Sequence, residues 1–169
     1  EFVLGSLLPE GGHTIAYNRF KTGIGRYDYS PLTPLVMATL SDEHEIITEP
    51  VVLLANGNSI SMAEMTCLGA KQMDNACVIG TQTWGALSSM TIEPEYYSDT
   101  YAGCVGIGDE TPFYGYIPCS VTITKQQEIL EGVGIIPDIE VQLDENLLNT
   151  TGRDTQLERA LQYIRTGNR

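Results

Sequence analysis

The most constraining feature of this chain is an unbroken apolar run, Val51-Val52-Leu53-Leu54-Ala55. Such a run between polar flanks is typical of a strand that is buried on both faces, as in a parallel sheet covered by helices. Asn56-Gly57-Asn58 then turns the chain, Ser61–Asp74 has the pattern of a helix, and Cys77–Gly80 is a second short apolar strand. A strand, a helix and a strand in close succession predict a βαβ crossover with neighbouring parallel strands. The sequence therefore predicts a mixed α/β fold.

The rest of the chain shows no internal repeat or low-complexity linker, so we expect one domain spanning residues 1–169. Pro31–Leu40 is ambiguous because two prolines interrupt it. A terminal helix, Asp154–Arg165, is predicted with Asp154 as its N-cap and an apolar stripe on one face. Further strands are predicted at Thr14–Phe20, Leu87–Ile92, Pro112–Thr124 and Ile139–Val141, and another helix at Glu1–Leu8.

The charge balance argues against nucleic acid as a partner. Nine basic residues stand against 22 acidic ones, for a net charge of −13, whereas phosphate binding needs clustered Lys and Arg. No stretch approaches the roughly 18 apolar residues that a membrane-spanning helix needs. Because the chain begins with Glu1 and not with Met, we expect it to be a piece of a longer precursor.

Metal binding is not expected. The four cysteines, Cys67, Cys77, Cys104 and Cys119, form neither a CxxC motif nor a Cys/His zinc spacing. His13 and His44 stand in polar surroundings far from any cysteine. Both histidines are interpreted as surface residues.

Ser61 is the residue best placed for nucleophilic chemistry. The turn after the apolar strand brings Ser59 and Ser61 to a helix start, where backbone N–H groups are unpaired and the dipole favours negative charge. A serine there is suited to attack a carbonyl carbon, with the N–H of Met62 holding the oxyanion. The alternative is structural, because Ser61-Met62-Ala63-Glu64 is also a capping box. Neither GxSxG nor SxxK is present.

Three segments of the chain together resemble a known family. They are VVLLANGNSISMAE at residues 51–64, VIGTQTWG at residues 78–85 and EGVGIIPDIEV at residues 131–141. In this order they resemble the catalytic domain of the S41 peptidases. That family includes the carboxyl-terminal processing (tail-specific) proteases and the tricorn-type proteases. The resemblance covers roughly residues 15–142.

The resemblance implies a ClpP/crotonase-like fold, with repeated β-β-α units and a mainly parallel sheet. It implies a serine peptidase that acts on a polypeptide substrate without a metal or organic cofactor. It also implies an exported protein of the cell envelope or periplasm. The family's early Gly-Gly loop lies upstream of the matching segments. We therefore expect the C-terminal portion of the catalytic domain, which associates with the missing N-terminal half of the same precursor or with a second copy.

The family's catalytic residues transfer only in part. Its nucleophile stands three residues before the acidic residue that opens the helix, which implies Ser61. The general-base lysine of the processing proteases falls on Ala86, just after Trp84-Gly85. In the tricorn-type arrangement a histidine base from an earlier segment is supported by a glutamate, which falls on Glu131. His13 lies on the wrong side of the matching region for this base, so no general base is identified.

The sequence is compatible with three functions. The first is a serine endopeptidase that forms an acyl-enzyme on Ser61. The second is a catalytically inactive S41-like peptide-binding or scaffold protein that has lost its base, for which Ala86 is the main evidence. A crotonase-type acyl-CoA enzyme ranks last, because the chain has no positive patch for the nucleotide.

Overall fold

The computed structural model describes residues 12–23, 25–38, 47–88, 104–106, 114–116 and 118–167. Within these ranges the chain forms more strands than helices. In chain order the elements are β1 (Gly12–Phe20), β2 (Thr33–Ala38), β3 (Val51–Ala55), α1 (Met62–Ala70), β4 (Ala76–Gly80), β5 (Cys104–Gly106), β6 (Tyr114–Tyr116), β7 (Ser120–Ile123), β8 (Ile139–Glu140), α2 (Glu145–Thr151) and α3 (Thr155–Thr166).

A parallel sheet lies at the centre of the fold. The apolar run forms β3, which pairs in parallel with β4 so that Val52 lies opposite Cys77. Helix α1 connects these two strands, which confirms the predicted βαβ unit. Strand β8 pairs in parallel with the other side of β4, so the strand order is β3-β4-β8. The mixed α/β class with a parallel sheet is confirmed.

Burial differs between the two central strands. Every residue of β4 is buried, whereas β3 buries only Ala55 completely and leaves Leu54 exposed. The expectation that β3 is covered along both faces is therefore wrong at Leu54. The physical reason is position, because among the described residues β3 is an edge strand and β4 has a neighbour on each side.

Helices α1 and α3 contribute to two different apolar clusters of the parallel sheet. Successive residues of a strand point to opposite faces, so neighbouring residues of β4 enter different clusters. The α1 cluster includes Ala55, Met65, Cys67, Ala70, Ala76 and Val78. The α3 cluster includes Cys77, Ile79, Ala160 and Tyr163.

An antiparallel sheet with strand order β2-β1-β7 extends the α1 cluster. Ile15 and Ala16 of β1 are buried in that cluster. Gln72, just after α1, donates a side-chain hydrogen bond of 2.8 Å to the Ile15 carbonyl. The ambiguous segment Pro31–Leu40 contains β2. Strands β5 and β6 form a separate antiparallel pair.

The terminal helix has the predicted N-cap, and its apolar stripe is exposed. Asp154 caps α3, and its carboxylate accepts hydrogen bonds from the N–H groups of Gln156 and Leu157. The helix contacts the sheet through Ala160 and Tyr163. Its predicted apolar stripe is instead exposed, and consists of Leu157, Leu161 and Ile164.

Several predicted boundaries differ from the structure. The helix predicted at Ser61–Asp74 ends at Ala70 and continues as turns. Residues 87–88 are not in a strand, and residues 89–92 of the segment predicted as Leu87–Ile92 lie outside the described residues. The strand predicted at Pro112–Thr124 corresponds to the separate strands β6 and β7. Helix α2 was not predicted, and the predicted helix Glu1–Leu8 lies outside the described residues. None of the helices in the described ranges is long and apolar enough to cross a membrane.

Candidate active site

A tight turn carries the chain from the end of β3 to the start of α1. The N–H of Ser59 donates to the Asn56 carbonyl at 2.9 Å, and the N–H of Asn58 donates to Asn56 Oδ1 at 2.9 Å. The Ser59 hydroxyl accepts a hydrogen bond from the N–H of Asn56 at 3.2 Å. The Ser59 hydroxyl is therefore engaged inside the turn.

Ser61 has an unusual backbone conformation. Its φ of 54° and ψ of −117° lie where glycine is favoured and other L-residues are strained. Such strain costs on the order of 1–3 kcal/mol and is found mainly at functional sites. Ser61 is exposed to solvent. The turn thus presents a strained, accessible serine at the carboxyl end of a parallel strand, where ligands bind in α/β sheets.

The capping box predicted at Ser61 is present in the structure. Ser61 and Glu64 face each other as the motif requires, and the N–H of Ser61 donates to Glu64 Oε2 at 3.2 Å. The Ser61 side chain faces the N–H of Glu64 as the box requires, but the contact is not a full cap hydrogen bond. The hydroxyl is therefore held only weakly at the helix start.

Met62 is the first residue of α1, so its N–H belongs to the group that a helix leaves unpaired. Within the described residues this N–H makes no hydrogen bond. It directly follows Ser61 at the positive end of the helix dipole. These are the properties of an oxyanion-hole donor, the role predicted for Met62.

Glu64 is the buried centre of the site, and its contacts extend well beyond the predicted capping box. Its side chain is fully buried. Besides Ser61, it accepts hydrogen bonds from the Thr83 hydroxyl at 2.5 Å, from Gly85 N at 2.7 Å and from Ala86 N at 2.8 Å. The carboxylate thereby joins the start of α1 to the segment that follows β4.

The same segment reaches the backbone of the serine turn directly. Trp84 N donates to the Ser59 carbonyl at 3.1 Å, and Ser61 N donates to the Ala86 carbonyl at 3.0 Å. Ala86, which stands where the resemblance would have a lysine, is thus one backbone hydrogen bond from Ser61. The resemblance implied that the position of Ala86 lies near Ser61, but it did not imply this backbone hydrogen bond.

Glu131 binds the two residues that follow Ala86 in the same segment. Its Oε2 accepts hydrogen bonds from Leu87 N at 3.0 Å and from Ser88 N at 2.7 Å. Its Oε1 makes no hydrogen bond within the described part of the chain. Ser61 and Glu131 are therefore both attached to residues 86–88, although 70 positions separate them in the chain.

Thr83 is a residue of the site for which the sequence pattern predicted no role. Its hydroxyl donates to Glu64 and accepts from Ile135 N at 2.7 Å, so it links the serine helix to the third matching segment. Gly134 makes this approach possible, because a Cβ there would lie 2.4 Å from the Thr83 carbonyl oxygen. The sequence feature that could have indicated Thr83 is its place in the second matching segment, directly before Trp84-Gly85.

Among the described residues, the remaining candidates give no second reactive centre. His13 lies in β1, opposite Met37 of β2, and His44 lies outside the described residues. Burial, assisted by the negative charge of Glu64, raises the pKa of the Cys67 thiol to about 11, which disfavours the reactive thiolate. In the part of the chain that the structure describes, no three His, Cys, Asp or Glu residues are grouped to hold a metal ion.

One family model and several solved structures resemble the chain. The model of peptidase family S41 matches residues 11–141, whereas no curated protein matches. The chain is similar to a candidate peptidase from Parabacteroides merdae ATCC 43184, with 21% identity and a TM-score of 0.72 over 98% of this chain and 47% of that one. It is also similar to mature CPAF complexed with lactacystin, with 12% identity and a TM-score of 0.66 over 97% and 40% of the two chains. A lipoprotein from Streptococcus agalactiae matches with 17% identity and a TM-score of 0.57 over 98% and 48%.

At these identities the structural similarities establish the fold alone. The chain spans less than half the length of each of the three structures. The family match, however, extends over most of the 169 residues and includes Ser61, Glu64, Thr83 and Glu131. The chain belongs to peptidase family S41.

Proposed function

We propose that this chain provides the nucleophile of a serine-type endopeptidase, with Ser61 forming the acyl-enzyme. The observation that carries the proposal is the conformation of Ser61, a residue other than glycine held at φ 54° in the turn between a parallel strand and a helix. A strained serine at a strand-to-helix turn is the arrangement that exposes a nucleophilic hydroxyl. Membership of a peptidase family supplies the substrate class, a polypeptide.

In the proposed reaction, Ser61 Oγ attacks the carbonyl carbon of the scissile peptide bond while a general base removes its proton. The carbonyl oxygen becomes an oxyanion, to which the Met62 N–H donates. The intermediate then collapses, the amine leaves with a proton, and an ester joins the acyl group to Ser61. Water hydrolyses the ester in a second step and regenerates the hydroxyl.

Glu64 and Thr83 act in this proposal as positioning residues. The Ser61 N–H donates to both Glu64 Oε2 and the Ala86 carbonyl. This donor is therefore turned toward the protein interior, while the next N–H, that of Met62, is left for the substrate oxygen. A preorganised donor of this kind lowers the barrier because it needs no rearrangement when the charge develops.

The general base is not identified in the chain. We propose that it is supplied from outside the described residues and that Glu131 orients it, since Glu131 is anchored through Oε2 while its Oε1 has no partner among the described groups. Such a carboxylate holds a histidine in its productive orientation in serine-hydrolase triads. This corresponds to the tricorn-type arrangement.

The alternative proposal is a catalytically inactive S41-like peptide-binding or scaffold protein that has lost its base. Ala86 in place of a lysine is the observation that favours it. The inactive protein would retain the fold and the exposed site, because the contacts of Glu64 and Thr83 do not depend on a base.

A fluorophosphonate probe distinguishes the two proposals. The longer protein that contains this chain is treated with the probe, and the labelled residue is located by mass spectrometry. We expect a label on Ser61 that disappears in Ser61→Ala and persists in Ser59→Ala, the matched control two residues away. An unlabelled Ser61 in folded protein would support the inactive alternative.

The domain context, the location and the partner of the chain are also proposals. We propose that it is the C-terminal portion of an S41 catalytic domain with ClpP/crotonase-like architecture, exported to the cell envelope or periplasm. The partner is the missing N-terminal half of the precursor or a second copy. Among the described residues β3 is an edge strand with Leu54 exposed, which supports such an association because apolar sheet edges are usually covered.

A further inference from the structure

Three large apolar side chains, in the serine turn or on a residue bonded to it, are exposed. Ile60 is 51% exposed, Met62 is 51% exposed and Trp84 is 66% exposed. Ile60 and Met62 flank Ser61 in sequence, and Trp84 is joined to the turn through its N–H bond to the Ser59 carbonyl. We call these three residues the apolar rim. Exposed apolar groups that are contiguous with a reactive site are typical of binding surfaces.

The backbone that carries the apolar rim is firmly held. On either side of Trp84, the Thr83 hydroxyl and the Gly85 N–H both donate to the buried Glu64 carboxylate. Gly132 N donates to the Gly85 carbonyl at 2.7 Å. The exposed indole therefore projects from a fixed backbone, so binding a ligand would cost little ordering of the main chain.

The chemistry of the apolar rim selects one kind of occupant. Aliphatic and aromatic side chains gain free energy when they remove apolar surface from water against Ile60, Met62 and Trp84. Among the described residues, the carboxylates that are bonded to the segment of Trp84, those of Glu64 and Glu131, accept hydrogen bonds from backbone N–H groups. We propose that the apolar rim binds a large apolar side chain next to the scissile bond, so that the site selects polypeptides carrying one there. This inference rests on the proposed function.

Trp84 allows the proposal to be tested without catalysis, because it is the single tryptophan of the chain. Its emission is followed in the Ser61→Ala protein, which cannot consume the peptide. Three hexapeptides with blocked ends are titrated, identical except for Leu, Lys or Glu at the central position. We expect the Leu peptide to shift the emission to shorter wavelength saturably, with a Kd at least tenfold lower than that of the other two.

Two further variants locate the binding surface. Ile60→Ser should raise the Kd of the Leu peptide about tenfold, because it removes an apolar contact from the apolar rim. Ile164→Ser is the matched control, since Ile164 is similarly exposed but lies on α3, which packs in the other apolar cluster. It should leave the Kd unchanged.

The outcomes separate this inference from the proposed function. Equal Kd values for the three peptides, no saturable change, or an unchanged Kd in Ile60→Ser would overturn the inference. Tightest binding of the Lys peptide would also overturn it and would indicate a cation–π site on the indole. Fluorophosphonate labelling of Ser61 without Leu preference leaves the proposed function standing, whereas Leu preference without labelling supports the apolar rim on an inactive protein.

Discussion

The backbone N–H of Ser61 donates a hydrogen bond of 3.0 Å to the carbonyl of Ala86. Ala86 is the position at which the processing proteases of the family would have their general-base lysine. This position is therefore next to the proposed nucleophile in this fold, and what differs is the side chain that it carries. Whether a base at this position would activate Ser61 can be tested by substitution.

We predict that Ala86→Lys increases the rate of Ser61 acylation by a fluorophosphonate about tenfold or more, because a positioned general base commonly contributes at least this much. Ala86 is half-buried, and burial lowers the pKa of a lysine, which favours the neutral amine. The rate is measured by quantitative mass spectrometry. Ala86→Met controls for side-chain length, and an equal rate in both variants would contradict the prediction.

The interpretation of Ser61 as a strained, exposed serine and its interpretation as a helix cap predict different stabilities for two substitutions. Because its hydroxyl makes no full cap hydrogen bond, Ser61→Ala should change the free energy of unfolding by less than about 0.5 kcal/mol, below the usual cost of losing a cap. Ser61→Gly should be more stable than Ser61→Ala by about 1 kcal/mol, since glycine tolerates φ 54°.

Urea unfolding of both proteins measures this difference, and neither variant should acylate. Equal stabilities for Ala and Gly at this position would mean that the turn is not strained. A loss of about 1 kcal/mol or more in Ser61→Ala would restore the capping interpretation.

Glu64 and Thr83 should be energetically coupled. Thr83→Val removes a hydroxyl that Glu64 and Ile135 N both use, and it should lower the free energy of unfolding by about 2 kcal/mol, because it leaves buried polar groups unpaired. Glu64→Gln should cost a similar amount, since it presents an amide to backbone donors. A double-mutant cycle should show a coupling of at least about 0.5 kcal/mol.

Thr66→Val is the control for this cycle. Thr66 lies on the same helix and bonds only to the Met62 carbonyl of its own helix among the described contacts. Its coupling to Glu64→Gln should fall within about 0.5 kcal/mol of zero, as for residues without shared partners. Additive Glu64 and Thr83 effects would show that their hydrogen bond does not hold the site together.

Two neighbouring glycines should differ sharply in their tolerance of alanine. Both have positive φ, 75° at Gly132 and 85° at Gly134. A Cβ at Gly134 would lie 2.4 Å from the Thr83 carbonyl oxygen, whereas a Cβ at Gly132 would meet nothing within 4 Å.

Gly134→Ala should therefore destabilise the protein by about 3 kcal/mol or more, while Gly132→Ala should cost about 1 kcal/mol from its backbone alone. Thermal or urea unfolding measures both values. Similar losses would show that residues 130–136 can move away from Thr83.

Cys67 should make stability decline at alkaline pH. Its folded-state pKa is raised to about 11 by burial and by the charge of Glu64, so above about pH 9 the unfolded chain loses this proton first. The stability present at lower pH should be lost between about pH 9 and pH 11. The wild type should lose on the order of 1–2 kcal/mol more than Cys67→Ala over this range.

Urea unfolding of the two proteins at several pH values isolates the thiol, because the other alkaline groups are common to both. Cys67 should also resist alkylation in the native protein. A pH-independent difference between the proteins would show that Cys67 is not protected by burial.

Much of the catalytic region could be predicted from local sequence. The apolar run predicted β3, the turn residues predicted the reversal after it, and the pattern after Ser61 predicted α1. These elements depend on contacts within thirty residues, and a βαβ unit allows essentially one arrangement of its parts. For the same reason the resemblance, which rests on three local segments, was sufficient to identify the family.

The segments with weaker local signals could not be predicted as well. The exposure of Leu54 follows from the place of β3 at an edge of the sheet, which no local pattern encodes. The apolar stripe of α3, with Leu157 and Leu161, lies away from the sheet because Ala160 and Tyr163 make the packed face. Periodicity identifies an apolar face but not the surface that it contacts.

The sequence by itself determined that Ser61 stands at a helix start after a buried-type strand, and that Glu64 is its capping partner. Only the tertiary structure decided that Glu64 is fully buried, that Thr83 and Ala86 contact the serine turn, and that Glu131 holds the next residues of the same segment. Helix starts and strands are set by residues a few positions apart. A carboxylate removed from water, in contrast, requires donors that surround it in space. The donors to the buried Glu64 come from segments about 20 residues away, and those to the half-buried Glu131 come from 43 to 44 residues away.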